Sequence, residues 1–336
     1  MSFSVLRLYF QLNSSSTPPD LHRLHFAIKN KMKTFIKVTE IWLPSKDRTR
    51  LEFNAGLYGP LNEFRVASEK ESFAYDEGLP GKAWAVGHPV VLTEFDHSYF
   101  KRTQSAKKAG LTCGIAIPVF SGEFIMAVVV FLCGDDQHHA GAIELWGNSL
   151  ENDAELAMID GYYGTLDDFE RISRKIKFGK GSGLPGQVWQ TGMPVLIEDM
   201  GLASAFIRSA DAAKAGITTA LGIPVAVLAD QVYIMTFLSA KATPIAQRIQ
   251  IWVPDETGQF LLCQSGYSKQ NDELAEIFET MSVRKGEGIL GRVWLTGIPA
   301  IRNNTASSVA LGRLNSMLAM PVIDGGKLKA VVSFLF

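Results

Sequence analysis

Apolar residues gather most densely in three pairs of long runs. These are LTCGIAIPVF with FIMAVVVFLC, TALGIPVAV with VYIMTFLSA, and MLAMPVI with LKAVVSFLF. Runs of this length, rich in β-branched residues and broken by turn signals, predict paired strands. Ser121-Gly122 and Gly325-Gly326 supply hairpin turns inside two of the pairs. Upstream of each pair, a tryptophan-bearing strand leads through a turn to a second strand, as in RLEFNAGLY (Arg50 to Tyr58). Polar segments follow (GPLNEFRVASEKESFA, GTLDDFERISRKIKF and NDELAEIFETMSV), and they predict helices. In the second, Leu166, Phe169, Ile172 and Ile176 form one narrow apolar stripe, so one face packs and the other is wet. Short strands (PVVLTEF, PVLIEDM, PAIRN) and a connecting stretch of helical character complete each unit. The sum is an α+β unit built on an antiparallel sheet of five or six strands. Ahead of the first unit, Phe3 to Leu12 predicts a strand, the breaker cluster NSSSTPPD closes it, and apolar spacing predicts a helix over Leu21 to Lys37.

The unit is written three times. GLPGKAWAVGHPV (Gly78 to Val90), GLPGQVWQTGMPV (Gly183 to Val195) and GILGRVWLTGIPA (Gly288 to Ala300) place Trp84, Trp189 and Trp294 at one fixed spacing. Trp42, Trp146 and Trp252, in EIWLP, ELWGN and QIWVP, form a second column. Ile117 to Val119, Ile223 to Val225 and Met320 to Val322 form a third. A period this long is a small domain, not a solenoid unit. The domains expected are 1–137, carrying the N-terminal strand and helix, 138–241, and 242–336. The links GDDQHHAG and SAKATPI are short, compatible either with close domain packing or with a strand shared between neighbouring sheets.

Composition adds exclusions. A net charge of -1 gives no footprint for nucleic acid or an anionic membrane surface, and no apolar run is long enough to span a bilayer. The 3 cysteines lack paired spacing, which argues against a disulfide framework or structural zinc and makes a reducing, cytoplasmic setting the expectation.

The order G-x-G-L-P-G-x-V-W-x-T-G-x-P over Gly181 to Pro194, then A-A-K-A-G at Ala212 to Gly216 and I-P-V, resembles the GAF domain. The resemblance covers nearly all of residues 40–336, three times over. It implies tandem GAF-like (profilin-like) domains of α+β class, each a central antiparallel sheet with flanking helices on one face. It also implies sensing or regulatory work. In that family small ligands sit against the other face, under a lid between the G-x-P strand and the I-P-V strand. The cyclic-nucleotide signature of the family, an Asn-Lys-Phe-Asp-Glu set, is missing from all three copies.

Glycines at 81, 186 and 291 are expected to serve a tight turn into a short helix, since no Lys-Ser/Thr follows to hold a phosphate. The motif tryptophans are expected to anchor the core. His88 stands where Met193 and Ile298 stand in the other copies, so it is a packing position. His97 is expected to be structural, and His138-His139 a solvated turn. Cys113 and Cys133 lie in apolar strand contexts without a cation to activate a thiolate, so they read as buried small hydrophobes and no catalytic residue is assigned. Recognition residues are expected in the lids: Phe95, Asp96, Tyr99 and Phe100 in the first, Asp199, Phe206 and Arg208 in the second. Lys101, Arg102, Lys107 and Lys108 read as a solvated helical face. The third lid, IRNNTASSVALGRLN, is shorter and has no aromatic or acidic group, so copy three is expected to pack or dimerise instead of binding.

Three functions follow as expectations. The first is small-molecule sensing, with output through a protein partner in trans because no output segment follows Phe336. The second is a ligand-free scaffold or oligomerisation module, and the third an enzyme of the methionine sulfoxide reductase type. A small organic ligand, a protein partner and a homodimer are the expected associations. No metal is expected, no cofactor is named, and neither nucleic acid nor membrane is expected as a partner.

Overall fold

The computed structural model describes residues 34–134, 139–149, 152–200, 207–228, 231–269, 281–303 and 316–336. The expected strand at Phe3 to Leu12 and most of the expected N-terminal helix lie outside these residues. The last turn of that helix is not helical. Phe35 is buried, and strand β1 begins at Ile36.

Among the described residues each copy contributes six strands. Copy one supplies β1 (Ile36–Pro44), β2 (Arg50–Leu57), β3 (Ser72–Ala74), β4 (Val90–Leu92), β5 (Leu111–Ser121) and β6 (Phe124–Gly134). Copy two supplies β7 (Gly141–Ser149), β8 (Asn152–Tyr162), β9 (Lys177–Gly179), β10 (Val195–Ile197), β11 (Thr219–Leu228) and β12 (Gln231–Ser239). Copy three supplies β13 (Arg248–Pro254), β14 (Phe260–Ser268), β15 (Ser282–Arg284), β16 (Ala300–Asn303), β17 (Ser316–Asp324) and β18 (Lys327–Leu335). All pairings are antiparallel, and the first sheet runs β3-β2-β1-β6-β5-β4. The other two sheets repeat this order, so among the described residues no strand is shared between copies. A register shift recurs beside each buried tryptophan, between Ile41 and Trp42, Leu145 and Trp146, and Ile251 and Trp252. A bulge bends the strand and raises its twist, which curls the sheet around its helices.

The helices are short. Among the described residues, copy one holds α1 (Asn62–Ser68), α2 (Gly78–Val86) and α3 (Thr103–Lys108); copy two holds α4 (Asp167–Ser173), α5 (Gly183–Thr191) and α6 (Ser209–Lys214); copy three holds α7 (Gly288–Thr296). The first two polar segments therefore divide into a helix of 7 residues and a 3-residue strand, where longer helices were expected; most of the third lies outside the described residues. In α2, α5 and α7 the glycine motif is local geometry, as expected. A Cβ at Gly81, Gly186 or Gly291 would lie 2.1, 2.2 or 2.2 Å from the carbonyl oxygen of Ala74, Gly179 or Arg284, so only glycine lets the helix seat on that strand.

Both faces of each sheet are covered, which is why its strands read as unbroken apolar runs. On one face of β6, Val128, Val130 and Leu132 meet Trp42, Phe64, Phe73, Leu79 and Phe95 beneath the helices and lid. On the other, Val129, Phe131 and Cys133 enter a single core built by all three copies, with Leu221, Ile223, Met235, Phe237, Leu318, Met320, Val332 and Phe334. Phe131, Phe237 and Phe334 occupy equivalent registers and meet one another with ring centroids 5.8, 6.1 and 6.3 Å apart. Around this centre β4 touches β8, β10 touches β14, and β16 touches β2, closing the copies head to tail. The resemblance implied a ligand face opposite the helices. That face is instead the common core.

Candidate functional site

The lids lie on the helix side, and their aromatic residues point inward. Phe95 and Phe100 are each 5% exposed and stack with centroids 4.0 Å apart, filling the first copy's core. Asp96 pairs with Lys107 at 2.6 Å, tying the lid to its own helix at the surface. Tyr99 is half-exposed; partial burial and then the negative charge of Asp160, in copy two, push its hydroxyl up. It therefore stands at the junction of copies one and two. Asp199 is exposed at the start of the second lid, and Phe206 lies outside the described residues. Of the seven expected recognition residues, the structure joins Phe95 to Phe100 in one core and buries Arg208 in another.

Arg208 is the centre of a buried polar network. Its Nη1 and Nη2 donate to Glu144 Oε1 and Oε2 at 2.5 and 2.8 Å, and Nη1 also donates to Ser173 Oγ. The hydroxyls of Tyr163 and Thr236 donate to the same carboxylate, each at 2.8 Å, and Trp146 Nε1 donates at 3.0 Å. The guanidinium lies 5.4, 4.9 and 5.8 Å from the ring centroids of Trp146, Phe169 and Phe178. Fork-to-fork pairing plus aromatic faces satisfies a planar cation in a dry interior, which a lysine could not do. Burial alone would raise the Glu144 carboxyl. The charge of Arg208 and hydrogen bonds from Arg208, Thr236 and Tyr163 outweigh it and hold the group below the usual carboxylate range. Burial, then the carboxylate, pushes the Tyr163 hydroxyl up.

Copy one repeats the arrangement with Arg102, read from sequence as solvated. It is 4% exposed. Its Nη1 and Nη2 donate to Glu40 at 2.5 and 2.9 Å, Nη1 donates to Ser68, and Tyr58 and Trp42 complete the carboxylate's partners. Sequence reasoning passed over Glu40, Glu144, Tyr58, Tyr163, Ser68 and Ser173. The available signals were Glu-x-Trp in two copies against Gln-x-Trp in the third, and two arginines standing equally far ahead of Gly110 and Gly216.

Other expectations divide. His88 is a packing residue, its ring stacked on Tyr233 of copy two at 4.7 Å. His97 is exposed with φ 55°, so it turns the lid chain. His139 is buried, against the solvated turn expected there, and His138 lies outside the described residues. Cys113 and Cys133 face each other across β5 and β6, fully buried in the common core. No cluster of potential metal ligands occurs among the described residues, and no helix among them is long and apolar enough to cross a membrane. In copy three, Phe260, Ser282, Arg284, Lys285, Gly286 and Glu287 line an open recess of about 790 Å³. In copy one, Arg50 takes the corresponding place, bonded to Ser72 and Glu77.

No family profile and no characterised protein sequence matches the chain. Solved structures similar to it include a free methionine-R-sulfoxide reductase from Neisseria meningitidis in complex with its substrate, at 18% identity and TM-score 0.24, covering 29% of this chain and 52% of that one. An A. aeolicus GAF domain in an inactive state is similar at 19% identity and TM-score 0.24, covering 30% and 58%. A GAF domain/HD domain protein from Geobacter sulfurreducens is similar at 15% identity and TM-score 0.26, covering 34% and 73%. The chain spans about half the length of the first two. With six-stranded antiparallel sheets, helices packed on one face and the motif order of each repeat, the three copies have a GAF-like fold.

Proposed function

We propose that the chain is a regulatory scaffold: three GAF-like domains fused into one body that acts through association with a partner protein, without a catalytic step. The observation carrying this reading is that the lid groups best suited to hold a ligand in copies one and two hold the protein itself. Phe95 stacks on Phe100, and Arg102 and Arg208 are consumed by Glu40 and Glu144. Sulfoxide reduction, the chemistry of one similar structure, has little support here because Cys113 and Cys133 are sealed in the common core. The test is native mass spectrometry of the freshly purified chain. The expected spectrum carries the mass of the polypeptide and its protein partners alone. A stoichiometric small-molecule adduct would contradict the scaffold reading.

Small-molecule sensing is the second reading. It is favoured by the nature of the buried network, in which a lid side chain fills an aromatic, carboxylate-bearing cavity like a bound molecule.

A further inference from the structure

Glu144, Tyr163, Ser173, Trp146, Phe169 and Phe178 all belong to the sheet, the helix following it or the segments joining them; Arg208 alone comes from the lid. The receiving side is therefore a complete recognition surface without the arginine. It offers a carboxylate oriented by Tyr163, Thr236 and Trp146, a hydroxyl from Ser173, and rings around the cation. Copy one builds the same surface from Glu40, Tyr58, Ser68, Trp42, Phe64 and Phe73, where Arg102 lies 5.5, 4.9 and 6.0 Å from the three rings. We infer that the cavities under the lids of copies one and two are binding sites for a monosubstituted guanidinium, each occupied by a tethered lid arginine, so that seating the arginine is itself a binding event. This goes beyond the scaffold reading and holds whether or not a free ligand is ever used.

Specificity follows from shape. A planar fork presents parallel N–H donors to both carboxylate oxygens while its faces lie against rings; a compact ammonium of equal charge cannot do both. Tethering keeps the arginine at high effective concentration, so a free guanidinium compound competes poorly while the arginine is present. Removing the side chain exposes the site.

The experiment uses the full chain carrying Arg208→Ala, with ethylguanidinium chloride as probe at millimolar concentrations, well below those that denature. Binding to the folded state raises the melting midpoint with a saturable dose dependence. The expected result is a rise of several degrees with ethylguanidinium, little with ethylammonium, and none in an Arg208→Ala/Glu144→Gln variant. If Arg208→Ala does not fold alone, recovery of its native circular dichroism on refolding with ethylguanidinium is the readout, and Arg102→Ala repeats it in copy one. Equal rescue by both cations, rescue surviving Glu144→Gln, or absence of rescue in both single variants overturns the inference.

Discussion

Copies two and three share a strand order but solve the same interior problem differently. In copy two the residue two before the buried tryptophan is Glu144, and the lid must deliver a cation to it. In copy three that residue is Gln250, neutral, 3.4 Å from Ser333 Oγ, which in turn takes the hydrogen bond of Trp252 Nε1 at 3.1 Å. The third copy also carries a buried arginine, Arg248, but it comes from the sheet at the position of Ala142, with Nη2 3.5 Å from Ser268 Oγ. A carboxylate that demands a distant partner ties its lid to its sheet. A neutral amide makes no such demand for a cation, and by sequence the third lid is shorter and free of aromatic and acidic groups.

The largest expected effect separates these two designs. Glu40→Leu strands Arg102 in a dry interior and should cost about 3–5 kcal/mol, whereas Gln250→Leu removes a neutral hydrogen bond and should cost about 1 kcal/mol. Urea unfolding of the two variants measures the difference. Equal costs would erase the distinction between the copies.

Next come the tryptophan columns. Trp42, Trp146 and Trp252 are fully buried anchors; in the glycine-motif column Trp294 is buried as expected, while Trp84 and Trp189 are only partly buried, against the expectation that all three anchor the core. Trp146→Ala should cost about 3–5 kcal/mol by leaving a cavity. Trp189→Ala, losing a partly exposed ring beneath Lys180, should cost about 1–3 kcal/mol. A melting curve that drops further for Trp189→Ala would restore the first expectation.

Gly186→Ala places a methyl 2.2 Å from the Gly179 carbonyl oxygen. It should cost about 1–3 kcal/mol by displacing α5, and Gly291→Ala should match it because this turn is common to all copies. Thermal denaturation of both checks that the copies differ in lid chemistry and not in this joint.

The smallest effect is on pH. Because the folded Glu144 carboxyl lies below its ordinary value of 4.5, the unfolded chain binds that proton more readily. Its contribution is present above pH 4.5 and is lost as pH falls through the folded value. Tyr163 has the opposite sign, since its raised folded value means stability lost as pH rises beyond 10.0. A Glu144→Leu/Arg208→Met variant should show a shallower acid limb in melting midpoint against pH.

The repeat, the strands and the glycine turn were legible because they are local: periodicity, β-branched runs and turn residues act over a few positions. Each Glu–Arg pair was not. Arg102 and Arg208 sit in polar stretches that by composition belong at the surface, and their partners lie 62 and 64 residues away in apolar strands. Closure around Phe131, Phe237 and Phe334 was hidden for a related reason. An apolar run says that a strand is covered on both faces, but not by what.

The most direct test is a double-mutant cycle on Glu144 and Arg208, read by urea unfolding of the full chain. If the lid of copy two is latched by this pair, Glu144→Leu and Arg208→Met should each cost about 3–5 kcal/mol while the double variant stays near wild type, because an apolar pair of similar volume leaves no stranded charge. Additive costs, with the double variant as unstable as the two singles combined, would mean that the residues are neighbours and not a latch.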